Sequence, residues 1–364
     1  MRFVDLGLDD PTLREELDAA YARVIDRGLM ILGAELEAFE AEFASYCGAR
    51  HAVGVGNGFD ALVLSLRAAG VAAGAEVIVP THTFVATWLA VEAVGATVVP
   101  VEVSPDTYIM TPGAAAAAIT SRTAAILPVS LYGHPVDIDG FMALASRHGL
   151  FVLEDAAQSH GASYRGRRTG RGAHATAFSF YPTKNLGALG DGGAITTSDP
   201  ELAARLMRLR NYGSSRKYVH EETGVNSRLD EMQAAFLRVF LPRLDSRNDA
   251  RRGIALAYAD GLAGVTGLTL PRELSDARHV YHLYVVRTAR RQALQASLTE
   301  AGVQTQVHYP VACHLQPAFA ARGFRRGEFP LAEQLADEVL SLPMWPGLRQ
   351  VDIASVAQAV RAVV

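Results

Sequence analysis

Short apolar runs alternate with helically spaced stretches through the first half of the chain. The runs are "HAVGV", "EVIVP", "TVVPVEV", "AAILPVS", "FVLED", "AFSFY" and "GGAITTS". Between them, "FDALVLSLRAAG", "FVATWLAVEAVG" and "IDGFMALASRHG" place apolar residues at helical spacing and stop at glycine. The runs are apolar at consecutive rather than alternate positions, so both faces of each strand are buried. That pattern predicts an α/β fold, with a mostly parallel seven-stranded sheet flanked by helices. Farther on, "RLDEMQAAFLRVFLPRLDSRNDARRGIALAYADGLA" reads as one long helical stretch leaving this unit. After it, "HLYVVRT" reads as a strand, and "RQALQASLTEAG" and "FPLAEQLADEVLSL" read as helices. At 364 residues the chain exceeds one simple core. The expected division is a large α/β domain over 1–245 and a smaller α+β domain over 246–364.

Composition narrows the function classes. An apolar content of 49% with 20% charged residues is that of an ordinary soluble globular protein. The net charge of -4 and the scattered arginines predict no nucleic-acid partner. There is no apolar run of about 18 residues, so no membrane span is expected. The start, "MRFVDLGLDDP", does not read as a signal peptide. Cys47 and Cys313 stand far apart without a C-x-x-C partner, which predicts neither a disulfide framework nor a zinc site and suits the cytoplasm. H-E-x-x-H is absent, "GASYRG" is not a nucleophile elbow, and His279 and His282 in "HVYH" read as structural histidines.

Lysine usage changes the picture. Of 34 Lys plus Arg, only Lys184 and Lys217 are lysines, leaving 32 arginines. A guanidinium keeps its proton, whereas a desolvated ammonium can lose it and attack a carbonyl. Lys184 follows the apolar "ATAFSFY" and precedes a glycine-rich stretch, in the loop between two expected strands. A snorkelling surface lysine is the alternative.

Ligands of open parallel sheets bind beyond the carboxyl ends of the strands. "VGVGNGFDAL" there offers glycines and helix N-terminal amides to a phosphate, or is a plain tight turn. Its G-x-G-x-G spacing lacks the last glycine of the dinucleotide fingerprint, since Phe59 occupies that position. "FVLEDAAQSHG" ends a strand on Asp155, which either caps the next helix or faces a protonated pyridine nitrogen. Ala156 and Ala157 leave room for a flat ring. Ser179 is a candidate phosphate ligand or a satisfied strand serine. An anion cradle, a strand-end carboxylate and a loop lysine together are the minimum equipment of a pyridoxal phosphate (PLP) enzyme.

Several segments in order, "VIVPTHTFVAT", "VSLYGHPVDID", "LEDAAQSHGASYRGRRTG", "AFSFYPTKNLGALGDGGAI", "RLRNYGS" and "VNSRLDEMQAA", carry a resemblance over nearly the whole chain. The chain resembles the fold-type-I aminotransferases of the DegT/DnrJ sugar aminotransferase family. The resemblance implies that Lys184 bonds covalently to PLP and then acts as general base and acid. It implies that Asp155 pairs with the pyridinium, Gln158 lies at the ring face or cofactor hydroxyl, and Phe84 stacks on the other face. Gly58 and Phe59 would give amides to the phosphate, Ser179 its hydroxyl, and Asn226 of a neighbouring subunit a further contact, making a homodimer. Many members have threonine where this chain has Phe59, so a side-chain phosphate contact is lost.

"GNGFDAL", "ATWLAV", "RKYVHEETGVNSRLDEMQAA" and "VHYPVACHLQPAF" resemble the subgroup that aminates C-3 of dTDP-3-keto-6-deoxyhexoses, with L-glutamate as the implied donor. Candidate substrate contacts are Tyr181, then Arg216, Lys217 and Tyr218 for a nucleotide diphosphate, then His308 and Tyr309 for sugar hydroxyls. The loop "GSSRKYVHEE" reads as flexible. The alternatives are a C-4 aminotransferase and a non-catalytic PLP-binding sensor. A C-3 dehydratase of this fold would carry histidine in place of Lys184.

Overall fold

The computed structural model describes residues 1–8 and 10–364. Two helices open the chain, α1 (Pro11–Arg27) and α2 (Ala34–Cys47). Seven strands then build one sheet: β1 (His51–Val55), β2 (Glu76–Pro80), β3 (Thr97–Val101), β4 (Thr123–Ile126), β5 (Phe151–Asp155), β6 (Ala175–Ser179) and β7 (Gly193–Thr197). Their order across the sheet is β1-β7-β6-β5-β4-β2-β3. Only β7 runs against the others, pairing antiparallel with β1 and β6. The seven apolar runs of the sequence are these seven strands.

Consecutive burial is the reason these runs are strands. All five residues of β2 and of β7 are buried, so neither face meets water. Helix α3 (Gly58–Ala68) packs on β6 and β7 with Leu62, Leu64 and Leu66 all buried, and α4 (Ala86–Ala93) fixes Trp88, whose Nε1 donates to Pro80 O at 2.9 Å. Asn57 caps α3, its Oδ1 accepting from Asp60 N at 2.8 Å.

Two expectations fail at their ends. The long helical stretch is broken: helix Glu231–Phe240, a turn at Leu241–Arg243, then helix Leu244–Leu262. Pro242 lies in the turn and lacks the N–H that a continuous helix needs. Likewise "FPLAEQLADEVLSL" is helical only over Pro330–Glu338. Val339–Leu342 is a fully buried strand paired antiparallel with Tyr284–Arg287. Neighbouring-strand pairing there overrides a helical pattern that local spacing alone supports. Helices Leu244–Leu262 and Gln350–Arg361 cover this ribbon, with Tyr258 against Tyr284 at 4.9 Å between ring centroids. The first residues join the same unit: Met1 O accepts from Gln304 N at 3.1 Å, and Phe3 O from Met344 N at 3.3 Å.

Helix α2 has no cap of its own at Gly33. Glu231, distant in sequence, supplies one. Its carboxylate accepts from Gly33 N at 2.8 Å and from Glu35 N and Leu36 N at 3.0 Å each. An anion at a helix N-terminus satisfies orphan donors and opposes the dipole. Glu231→Ala strands these buried amides, so urea unfolding should show a loss of about 3 kcal/mol. A loss below about 0.5 kcal/mol would show that water replaces the clamp.

Candidate active site

The parallel strands bring their carboxyl ends to one edge, and the chemistry gathers there. Asp155 ends β5 and is only 6% exposed. No helix follows it, so the helix-capping alternative fails. Its Oδ2 accepts from Thr87 Oγ1 at 2.9 Å, and its Oδ1 accepts from Ala157 N at 3.2 Å. Burial raises its pKa, against the Ala157 N–H, the Thr87 hydroxyl and the charge of Lys184. Thr87 was not anticipated from the sequence. It sits in the first turn of α4, just past β2, one helical turn from Thr83, whose hydroxyl it also meets at 2.9 Å.

Lys184 lies in the loop between β6 and β7 and is half-buried. Desolvation pulls its amine down to about 8, against the opposing pull of Asp155. An amine held there has a far larger free-base fraction at neutral pH than an ordinary lysine, which favours nucleophilic attack. The snorkelling alternative does not describe this amine.

The glycine turn after β1 forms the third part. Gly58 is the first residue of α3, and a Cβ there would sit 2.5 Å from Ser179 Cβ and 3.2 Å from Ser179 Oγ. The helix start therefore packs directly against Ser179 at the end of β6, a cradle that any larger residue at Gly58 would fill. Phe59 follows in the first turn at 36% exposure, and Ser179 Oγ accepts from Tyr181 N at 3.3 Å. Ser227 reaches this turn too, accepting from Gly56 N at 3.0 Å and donating to Asp60 Oδ2 at 2.6 Å.

Gln158 is held on both sides: its Oε1 accepts from Tyr132 N at 2.6 Å, and its Nε2 donates to Tyr309 OH at 3.0 Å. The Tyr132 hydroxyl donates to His308 O. His82 meets that hydroxyl at 2.7 Å and, held down to about 4 by burial, is neutral. His308 is likewise pushed down to about 4 by burial and by Lys184. Phe84, 52% exposed, faces Tyr309 at 5.3 Å between centroids. The structure thus joins Asp155, Gln158, Phe84, His308 and Tyr309. Tyr132, which links them, carried no signal beyond its place in "SLYGHP".

The remaining candidates stand apart. Tyr181 is 53% exposed, and Asn226 is exposed on a segment bridged to Asn211. Arg216, Lys217 and Tyr218 occupy an ordered ribbon, Ser214–Arg216 with Val219–His220, where a flexible loop was expected. His220 Nδ1 bonds Tyr212 O at 2.8 Å and helps to order it. Lys217 Nζ lies 5.2 Å from the Tyr218 ring. His279 and His282 are buried, His279 Nδ1 accepting from Tyr281 N at 2.8 Å.

The model of the DegT/DnrJ/EryC1/StrS aminotransferase family matches residues 11–361. The chain belongs to this family. Among its relatives is dTDP-3-amino-3,4,6-trideoxy-alpha-D-glucose transaminase of Streptomyces venezuelae, 55% identical over 99% of this chain and 95% of that one. Another is the erythromycin biosynthesis sensory transduction protein EryC1 of Saccharopolyspora erythraea, 56% identical over 95% of this chain and 94% of that one. Among solved structures, S. venezuelae DesV in complex with a ketimine intermediate superposes with a TM-score of 0.97, at 55% identity, over 99% of this chain and 97% of that one. As a member of this family the chain is a PLP-dependent aminotransferase of fold type I. The residues present fit the cofactor: a buried carboxylate, a desolvated amine and a glycine-lined cradle with a hydroxyl.

In the cofactor-free protein, acylation of Lys184 by acetic anhydride, followed by peptide mass spectrometry, should rise with pH through a midpoint of about 8. Asp155 favours the ammonium, so Asp155→Asn should move that midpoint to lower pH. A midpoint above 10 would show that the amine is solvated.

Proposed function

We propose that this aminotransferase transfers an amino group from L-glutamate to C-3 of a dTDP-3-keto-6-deoxyhexose, as a homodimer in the cytoplasm. The observation that carries the catalytic reading is the shared desolvated space of Lys184 and Asp155 beside the Gly58–Ser179 cradle. PLP, when bound, supplies a carbonyl carbon for the amine and a pyridinium ring that spreads negative charge. Lys184 Nζ would bond to the cofactor and, once released, would act as base and acid, carrying a proton between the nitrogen-bearing substrate carbon and the cofactor. The Asp155 carboxylate would hold the proton of the ring nitrogen, backed by the Thr87 hydroxyl. Gly58, Phe59 and Ser179 would hold the phosphate, while Phe84 and Gln158 would bound the ring. A non-catalytic sensor would have no evident need for the lysine, the aspartate and the phosphate cradle together.

The substrate reading is supported by the names of the relatives and by the surface chemistry. Arg216, Lys217 and Tyr218 would be available to a nucleotide diphosphate, and His308 and Tyr309 to sugar hydroxyls. The exposed Tyr181 would be a further contact for the substrate. The exposed Asn226 would reach the phosphate of the neighbouring subunit. Buried free thiols at Cys47 and Cys313 suit a reducing compartment.

The deciding experiment incubates the PLP-loaded protein with glutamate and either dTDP-3-keto or dTDP-4-keto sugars, then determines the product by NMR. Nitrogen at C-3 alone is expected; nitrogen at C-4 alone overturns the regiochemistry. Lys184→Ala should abolish turnover. Asp155→Asn should lower kcat at least about a hundredfold, because removing one partner of a desolvated charge pair costs several kcal/mol.

Asn226 predicts complementation. Lys184→Ala subunits mixed with Asn226→Ala subunits should form some dimers with one intact site, so activity should exceed that of either parent. Absence of recovery after proven exchange, given a severe Asn226→Ala defect, would place Asn226 outside the partner's site.

A further inference from the structure

The residue after the lysine is a buried amide. Asn185 is 6% exposed, and both of its amide hydrogens have acceptors: Nδ2 donates to Asn248 Oδ1 at 2.8 Å and to Val280 O at 3.1 Å. Its Oδ1 meets His282 Nδ1 at 3.2 Å. Val280 O can only accept, so the amide cannot be turned over without setting two acceptors face to face. That fixes the neighbours. Asn248 must present its oxygen to Asn185, and its Nδ2 then donates to His160 O at 2.9 Å. His282 must donate from Nδ1. It is therefore the Nδ1–H tautomer of a neutral ring, and burial among Lys184, Arg251, His308 and His160 keeps it uncharged.

The contacts run in one direction through the fold. His160 ends the "DAAQSH" turn that carries Asp155 and Gln158, and Asn185 adjoins Lys184. Asn248, on helix Leu244–Leu262 and 2% exposed, holds one with each end of its amide. The approach is close: a Cβ at Gly161, where φ is +82°, would lie 2.6 Å from Asn248 Nδ2. Beyond it, Arg251 Nη1 donates to His282 O and Met344 O at 3.2 Å each, tying the same helix to the C-terminal ribbon.

We propose that Asn185 and Asn248 form a positioning bridge that sets Lys184 relative to the Asp155 turn. This rests on the reading of Lys184 as the amine that bonds to the cofactor. Neither amide touches a reacting atom; each acts through the backbone it holds. Displacement of a catalytic group by about 1 Å costs roughly a hundredfold in rate, which sets the scale expected when the bridge is cut.

The test compares wild type, Asn185→Ser, Asn248→Asp and the double variant. Asn248→Asp keeps the acceptor for Asn185 and removes the donor to His160, so it cuts the bridge at one end with little change of volume. Cutting it should lower kcat about 10- to 100-fold, with the double variant no worse than the poorer single one. Borohydride-trapped attachment of PLP should slow by a similar factor. Affinity for pyridoxamine phosphate, which needs no lysine bond, should stay within about threefold. In the cofactor-free protein, amide hydrogen exchange over residues 182–186 should accelerate. Wild-type kcat and trapping rate in folded variants, with only a lowered Tm, would make the bridge a stability element and overturn the proposal; so would additive losses. If wild type itself is not trapped by borohydride at Lys184, the reading of the lysine fails instead.

Discussion

An amine and a carboxylate share poorly solvated space at the carboxyl edge of the sheet, and each changes the proton affinity of the other. Burial pushes the Lys184 amine towards its neutral form and raises the Asp155 carboxyl. Their mutual attraction opposes both effects. Such a pair is costly to desolvate, so the rest of the fold has to hold it. Thr87 and the Ala157 amide satisfy the carboxylate, and the loop after β6 carries the amine back over the same edge. Any cation placed against Asp155 gains from the low polarity that unsettles the carboxylate alone.

Much of this architecture was legible because it rests on local pattern. Strands buried on both faces are apolar at consecutive positions, so β1 to β7 could be read as seven runs. Lys184 stood out because the chain otherwise uses arginine, and Asp155 because a charged pair ended an apolar run. The break at Pro242 was written locally and overlooked; the other failures share one cause. Val339–Leu342 is a strand only because Tyr284–Arg287 lies beside it, and no property of its own residues says so. Thr87, Tyr132, Asn185 and Asn248 act through partners far away in sequence. A threonine in "ATWLAV" gives no sign of the carboxylate it will meet 68 residues later.

The two halves of the chain meet through polar side chains as well as apolar packing. Helix Leu244–Leu262 sends Asn248 and Arg251 towards carbonyls on three separate segments, around His160, Tyr281–His282 and Met344. An arginine so placed, 4% exposed with carbonyls for company, has its pKa pulled down to about 9 by burial and by Arg247. Such contacts are directional, so they define an angle between units where apolar packing alone would tolerate a range. The Tyr132 hydroxyl adds another such contact, donating to the His308 carbonyl.

The scarcity of lysine also makes the surface unusually simple to interrogate by proteolysis. A lysine-specific protease has two peptide bonds to consider in the whole chain. The one after Lys184 lies in a loop pinned by buried amides, and the one after Lys217 lies in the exposed ribbon beside Tyr218. Digestion under native conditions therefore reduces to a single question, whether the ribbon is open to the protease. A cut there is visible as two fragments, and its rate measures how open the ribbon is.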